Sequence, residues 1–228
     1  MSTIEKMRHM RPAILPSMLQ NDFSNVGREC ELLKAAGAQA LHLDVMDGTF
    51  VPNISYGLPI VSAFRKSTDL FLDCHLMIDQ PEKYVEQFVK AGADLVTFHV
   101  EATDRVDECI ERLRSADAGV GLAINPDTPV EKLAEYSSRC DLILIMSVHA
   151  GFGGQSFIEE SIERIQEARH LDGDFVLEVD GGINRSTIGG CAQAGIDWFV
   201  AGSAIFGNED YSAAMSELLR EAAIRENA

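Results

Sequence analysis

Four residues with chemistry to offer stand at or near the ends of short apolar runs. They are His42 and Asp44 in ALHLDVM (40–46), His75 in LFLDCHLM (70–77) and Asp180 in FVLEVD (175–180). Two imidazoles and two carboxylates together make a donor set for a divalent cation. Side chains alternate along a strand, so His42, Asp44 and Met46 share one face. Asp73, His75 and Met77 share another, as do Glu178 and Asp180. Polar groups inside apolar strands need partners, because burying an unpaired charge costs several kcal/mol. A single strand histidine is more often a hydrogen-bonded core or rim residue than a ligand, but four such groups at equivalent strand ends favour a metal. His99-x-Glu101, at the end of DLVTFHV (94–100), fits a ligand description nearly as well, so spacing alone leaves the set open. Met46 and Met77 read as core filler unless they cover a reactive intermediate. Glu178 is a candidate for orienting a histidine ligand, with a salt-bridged interior carboxylate as the equal alternative.

Glycine is the second theme. The late part of the chain carries His149-Ala150-Gly151-Phe152-Gly153-Gly154-Gln155, then Asp180-Gly181-Gly182, then Ala201-Gly202-Ser203. Glycine lets backbone N–H groups come close to an anion, and a helix start adds positive potential. One such cluster is a weak signal, since turns also favour glycine; three in successive late loops point to a phosphorylated small molecule. None of the three contains Lys or Arg, so backbone and Ser203 would hold the phosphate.

The elements that position these residues follow from periodicity. Strand-like runs at 12–17, 40–46, 70–77, 94–100, 119–125, 141–148, 175–180 and 197–202 alternate with amphipathic segments such as FSNVGRECELLKAA, PEKYVEQFVKA, VDECIERLRS, SIERIQEAR and YSAAMSELLREAAI. Eight strands and about eight helices leave about 28 residues per unit, enough for a β/α unit. A weak repeat, KAAGAQALHLD, KAGADLVTFHV and AQAGIDWFVAG, puts Gly37, Gly92 and Gly195 just past helix ends, where the left-handed cap belongs. Strict alternation predicts a parallel sheet, and eight units without a linker predict a single (β/α)8 TIM-barrel domain over 1–228, an open doubly-wound sheet being the alternative. In such a barrel, catalytic groups sit at the C-terminal ends of the strands and phosphate at the last ones.

Composition removes several function classes. The 228 residues carry 19 Lys+Arg against 36 Asp+Glu, a net charge of −17. Such a surface repels phosphodiester backbones and anionic lipid, so neither nucleic acid nor membrane is an expected partner. No run approaches the length of a spanning helix; the longest, CDLILIMSV, is strand-length. MSTIEKMRHMRP lacks the apolar segment of a signal peptide. Five cysteines without CxxC spacing fit buried reduced thiols, and a cytoplasmic location is expected.

Taken in order, LHLDVMDGTFVPN (41–53), LDCHLM (72–77), LAINPDTP (122–129), MSVHAGFGGQSF (146–157), LEVDGGIN (177–184) and VAGSAIFG (200–207) resemble the ribulose-phosphate 3-epimerase family. The resemblance runs from PAILPSML to the last helix. It implies a (β/α)8 barrel with a catalytic divalent metal that interconverts D-ribulose 5-phosphate and D-xylulose 5-phosphate in the pentose phosphate pathway. It assigns the metal to His42, Asp44, His75 and Asp180, and so decides against His99 and Glu101 as ligands. It makes Asp44 the proton acceptor and Asp180 the proton donor. Substrate and phosphate contacts fall on Ser17, His75, Gly151, Phe152, Gly153, Gly154, Asp180, Gly181, Gly182, Gly202 and Ser203. Met46, Met77 and Met146 match methionines that cap the reacting carbons. The donor set suits Zn2+ or Fe2+, with Mn2+ and Co2+ as alternatives, and the family's dimers and hexamers make a homo-oligomer the expectation. One departure stands out: His149 and Ala150 replace the Asn or Glu and the Pro usual before GFGG, which predicts a looser lid.

Epimerising a carbon beside a ketone requires a proton to leave one face and return to the other, work for two acid/base groups flanking a planar enediolate. A metal acting as Lewis acid makes the C–H acidic enough for a carboxylate. Three rivals are a hexulose-phosphate 3-epimerase of the allulose 6-phosphate type, a noncatalytic phosphate-binding barrel, and a metal-free lyase or synthase on the same scaffold. The complete His42, Asp44, His75 and Asp180 set weighs against the last two.

Overall fold

A computed structural model of the chain describes residues 3–223; the first two and last five residues, including the end of the expected last helix, lie outside it. Eight strands alternate with helices: β1 (Ala13–Pro16), β2 (Ala40–Met46), β3 (Phe71–Met77), β4 (Leu95–His99), β5 (Gly119–Ile124), β6 (Leu142–Met146), β7 (Val176–Asp180) and β8 (Trp198–Ala201). Each lies where the apolar runs predict, trimmed by at most three residues. All ladders are parallel, in the order β1-β8-β7-β6-β5-β4-β3-β2, and a Ser17–His42 bridge brings the first strand against the second. The closed barrel therefore supersedes the open-sheet alternative. The helices are α1 (Thr3–His9), α2 (Val26–Ala35), α3 (Leu58–Ser67), α4 (Val85–Ala91), α5 (Val106–Ser115), α6 (Ser161–Arg169), α7 (Ile188–Ala194), α8 (Ser203–Phe206) and α9 (Tyr211–Ala222). One crossover departs from the pattern. Between β5 and β6 there are only short 3-10 turns, Val130–Leu133 and Ser137–Arg139. Pro126 and Pro129 open this segment, and proline cannot donate the N–H that a helix interior needs.

Alternation sorts the strands' side chains into two cores. Inward-facing Leu15, Ala40, Phe71, Leu95, Leu142, Leu144, Val176 and Trp198 fill the barrel interior. The outward set, including Leu41, Leu43, Leu72, Val96, Phe98, Ile143, Leu177 and Phe199, packs beneath the helices. Strands buried on both faces read as near-continuous apolar runs, which is why polar inward residues are conspicuous. Helix α5 shows how the outer layer is held: Val106, Cys109, Ile110 and Leu113 are its buried residues, at helical spacing. Gly37, Gly92 and Gly195 take φ of 95°, 117° and 121°, the left-handed turn expected after α2, α4 and α7. All five cysteines are buried free thiols.

The N-terminal rim of the barrel repeats one clamp three times. Asp94 accepts from Leu72 N at 2.9 Å and from Arg65 Nη1 at 3.0 Å. Asp141 does the same for Val120 N at 2.9 Å and Arg114 Nη1 at 2.5 Å. Asp197 receives Leu177 N at 3.0 Å and Arg169 Nη2 at 2.7 Å. Each aspartate precedes an even-numbered strand and ties it to the strand before and to a helix. The GADL and GIDW junctions of the sequence repeat are two of these clamps. Their place on the rim opposite the catalytic face marks them as framework.

Candidate active site

At the opposite rim, β2, β3 and β7 bring their polar residues together. His42 pairs in register with Asp73, Asp44 with His75, and Met46 with Met77. One nitrogen or oxygen from each of His42, Asp44, His75 and Asp180 lies within 4.8 Å of the others. His42 Nε2 is 3.2 Å and His75 Nδ1 3.3 Å from Asp44 Oδ1. Ser17, just past β1, donates from Oγ to Asp44 Oδ2 at 2.7 Å. Both histidines are fully buried, and Asp180 is partly exposed at the barrel mouth.

The two carboxylates differ in acidity for identifiable reasons. Burial works to raise Asp44, but His42 and His75 overcome it and hold its carboxyl well below the usual range. Burial and the charge of Asp44 push Asp180 up to about 7. One ionised carboxylate and one that exchanges a proton near neutrality, over the same cavity, make the arrangement that paired acid/base chemistry requires. Burial lowers His75 to about 4, so it is neutral at pH 7. His42 is opposed by burial too, yet the carboxylates of Asp44 and Asp73 carry it well above its ordinary value.

Sequence reasoning left Asp73 without a role, and the structure gives it one. Its Oδ2 lies 2.6 Å from His42 Nδ1, and Thr97 Oγ1 donates to its Oδ1 at 3.3 Å. An acceptor-only carboxylate there places a proton on Nδ1 and leaves Nε2 facing the cluster. Glu178, the residue expected to orient a histidine, is more distant, 3.6 Å from the same nitrogen. Neither Glu178 oxygen has a hydrogen-bond partner among the described residues. Burial and the charge of Asp73 raise its pKa well above the ordinary carboxylate value, against the lowering effect of His42. Parity told Asp73 and Glu178 apart from outward residues but not from each other; that choice depends on register between strands.

Above the cluster lies a cavity of about 290 Å3. Every residue expected to touch substrate lines it except His75: Ser17, Asp44, Asp180, the Gly151–Gly154 loop, Gly181, Gly182, Gly202 and Ser203, with Met46, Met77 and Met146. His42 and His75 lie beneath its floor, where they can reach a metal but not the cavity wall. Met46 and Met77 form a small apolar cluster with Val51, flanked by Leu19, Phe50 and Ala150. Among the described residues no Lys or Arg lines the cavity. Gly182 has φ 64°, and a Cβ there would meet Phe157 N at 2.6 Å, so backbone approaches closely where the glycine clusters predict. Gln20, which sequence reasoning missed, reaches between two of those loops: a Cβ on Gly153 would lie 2.7 Å from its Nε2, and one on Gly202 3.1 Å from its Oε1. Ser147 donates to Gly181 O at 2.7 Å and steadies the turn after Asp180.

The loop carrying His149 and Ala150 lacks the family's proline but is tied by side chains. His149 Nε2 lies 3.0 Å from Asp127 Oδ2, Asn53 Nδ2 donates to Gly151 O at 2.7 Å, and Gln155 Nε2 donates to His149 O at 2.7 Å. The expectation of a looser segment thus meets three tethers that the motif comparison did not reveal.

Among the described residues no helix is long and apolar enough to cross a membrane. Solved barrels of similar shape include the 3-hexulose-6-phosphate synthase of Salmonella typhimurium (TM-score 0.69, 19% identity, covering 95% of this chain and 100% of that one). Another is KGPDC of Streptococcus mutans (TM-score 0.72, 12% identity, covering 95% and 100%). At those identities the likeness concerns the fold alone. Closer in sequence are the ribulose-phosphate 3-epimerase of Mycobacterium bovis, 43% identical over 92% of this chain and 93% of the relative, and that of Bacillus subtilis, 41% identical over 90% and 97%. The model of the ribulose-phosphate 3 epimerase family matches residues 13–206, a span holding both the N-terminal clamps and the four-residue cluster, and the chain belongs to that family.

Proposed function

We propose that this chain catalyses metal-dependent epimerisation at C3 of a ketose phosphate, interconverting D-ribulose 5-phosphate and D-xylulose 5-phosphate. The observation that carries this is the convergence of His42, Asp44, His75 and Asp180 on one point under a cavity of sugar-phosphate size. The donor set fits a resident divalent ion: two nitrogens and two carboxylates from three strands, with one histidine neutral and the other backed by Asp73. When bound, that ion supplies Lewis-acid stabilisation of the negative charge that develops on the substrate oxygens. Zn2+ or Fe2+ is the preferred occupant.

The chain's own residues do the rest. Asp44, ionised and held by Ser17, takes the C3 proton from one face of the substrate. Asp180, protonated near neutrality, returns a proton to the other face, and the roles exchange in the reverse direction. Met46, Met77 and Met146 cover the planar intermediate and keep water from it. Backbone N–H groups of the Gly151–Gly154, Gly181–Gly182 and Gly202–Ser203 segments receive the phosphate. Buried free thiols support a cytoplasmic location, and the family's habit supports a homo-oligomer, which sedimentation would measure.

A coupled assay of ribulose 5-phosphate epimerisation, run with chelator and with metal add-back, tests this. Activity should vanish with chelator and return with one of the four candidate ions. Asp180→Asn should lower turnover by about 10²–10⁴-fold or more while the protein stays folded; a folded variant with full turnover would remove the two-carboxylate mechanism. A higher kcat/KM on a six-carbon ketose phosphate would move the assignment to the hexulose substrate.

A further inference from the structure

We propose that His99, backed by Glu101, is a positioning relay that fixes the tautomer of His75, so that Nδ1 of His75 is free to ligate the metal. The proposal rests on the metal-site assignment above and concerns residues outside the four ligands. His75 points Nδ1 into the cluster, 3.3 Å from Asp44 Oδ1 and 3.4 Å from His42 Nε2. Its other nitrogen, Nε2, is 2.9 Å from Nε2 of His99, and the two rings stack at 5.0 Å. His99 in turn sets Nδ1 3.2 Å from Glu101 Oε2. The second oxygen of Glu101 accepts from Asn125 N at 2.7 Å and from the Thr128 hydroxyl, so the carboxylate cannot turn away.

Only one assignment of protons serves a metal at His75 Nδ1. A ligating nitrogen offers its lone pair, so the proton of neutral His75 sits on Nε2 and is donated to His99. His99 Nε2 must then accept, which puts its own proton on Nδ1, facing an acceptor-only carboxylate. Asn125 Nδ2, 3.3 Å from the same nitrogen, is the weaker neighbour beside that anion. His42 reaches the same end directly, through Asp73 at 2.6 Å. Both histidines are thus oriented by carboxylates, one in direct contact and the other through an intervening imidazole. Metal-bound histidines commonly depend on such partners, and losing one typically weakens metal binding 10–100-fold.

The test is Co2+ affinity and the visible Co2+ spectrum of the whole protein, read beside turnover. In Glu101→Gln the amide oxygen keeps Asn125 N–H and Thr128, so the NH2 group faces His99 Nδ1 and reverses every proton in the chain. Co2+ should bind about 10–100-fold more weakly with altered absorption bands, while the thermal midpoint of the metal-free protein stays within about 2 °C of wild type. In His99→Gln the side-chain carbonyl can accept from His75 without help from Glu101. Co2+ affinity should stay within about threefold, and adding Glu101→Gln should change it no further. His99→Phe, which keeps a ring but no acceptor, should lose affinity. Wild-type affinity in Glu101→Gln, or equal losses in His99→Gln and His99→Phe, would overturn the relay; should Glu101→Gln fail to fold, the His99 pair decides alone. A wild-type protein that binds no Co2+ would overturn the metal site itself, and the relay with it.

Discussion

Metal uptake by this site should expel protons, and the structure names the groups that release them. His75, lowered to about 4, and Asp44, held well below the carboxylate range, are ready to ligate at neutral pH. The other two are not. Asp180 at about 7 is half protonated at pH 7. His42 is raised well above its ordinary value by Asp44 and Asp73 against the opposing effect of burial, so protons compete there too. Its Nδ1–H stays with Asp73, so the proton lost is the one on Nε2, 3.2 Å from Asp44. Protons compete with the ion for both groups, so affinity must fall as pH falls. Between pH 8 and pH 6, Asp180 alone contributes a factor of about ten, or ~1.4 kcal/mol, and His42 acts in the same direction.

Isothermal titration with Co2+ in buffers of different ionisation enthalpy counts the protons. The count should rise as pH falls, with Asp180 alone adding nearly one proton between pH 8 and pH 6. Because the ligands titrate together, the count belongs to the cluster and not to single residues. Asp180→Asn isolates its share: the rise in the count between pH 8 and pH 6 should shrink by nearly one proton. A proton count near zero at pH 6, or a Kd that does not change between pH 6 and pH 8, would refute the charge distribution argued here.

Three further substitutions separate chemistry from framework. Ser17→Ala removes the 2.7 Å hydrogen bond to Asp44 but leaves the backbone bridge to His42, so kcat should fall about tenfold in the coupled assay with an unchanged melting temperature. Gly182→Ala forces a Cβ to within 2.6 Å of Phe157 N at φ 64°; displacing that loop should lower kcat/KM about 10–100-fold, chiefly through KM for the phosphorylated substrate. Asp141→Ala strands Val120 N–H and Arg114 on the far rim, and urea unfolding should show a loss of about 2–3 kcal/mol with kcat intact. A loss under about 0.5 kcal/mol would mean the clamp is ornamental.

The fold and most of the cavity were legible in the chain because strands and motifs are local. A run such as LILIM declares a strand buried on both faces, and KAGADLV declares a cap followed by a strand. Alternation put His42 with Asp44 and Asp73 with His75 on inward faces. What alternation lacks is height around the barrel. That Asp73 rather than Glu178 takes the Nδ1 proton of His42 follows from the β2–β3 register, in which His42 is directly opposite Asp73. The reach of Gln20 between the Gly153 and Gly202 loops is equally invisible, since it joins the segment after β1 to the loops after β6 and β8. The missing helix between β5 and β6 was written in Pro126 and Pro129, but average unit length hid it.

The two rims of the barrel use aspartate in opposite ways. On the N-terminal rim Asp94, Asp141 and Asp197 each receive a strand N–H and an arginine, so every charge is neutralised within the chain and the unit can repeat. On the C-terminal side, among the described residues, no arginine or lysine lines the cavity, and Asp44, Asp73 and Asp180 face histidines, hydroxyls and backbone. Buried carboxylates left that way are costly without a cation. They therefore form a site that takes up a divalent ion and then an anionic substrate, despite an exterior at −17. An arginine near Asp180 would relieve the cost, drive its pKa down from about 7 and remove the proton that the proposed mechanism has it donate. Omitting that arginine keeps Asp180 able to carry a proton at neutral pH.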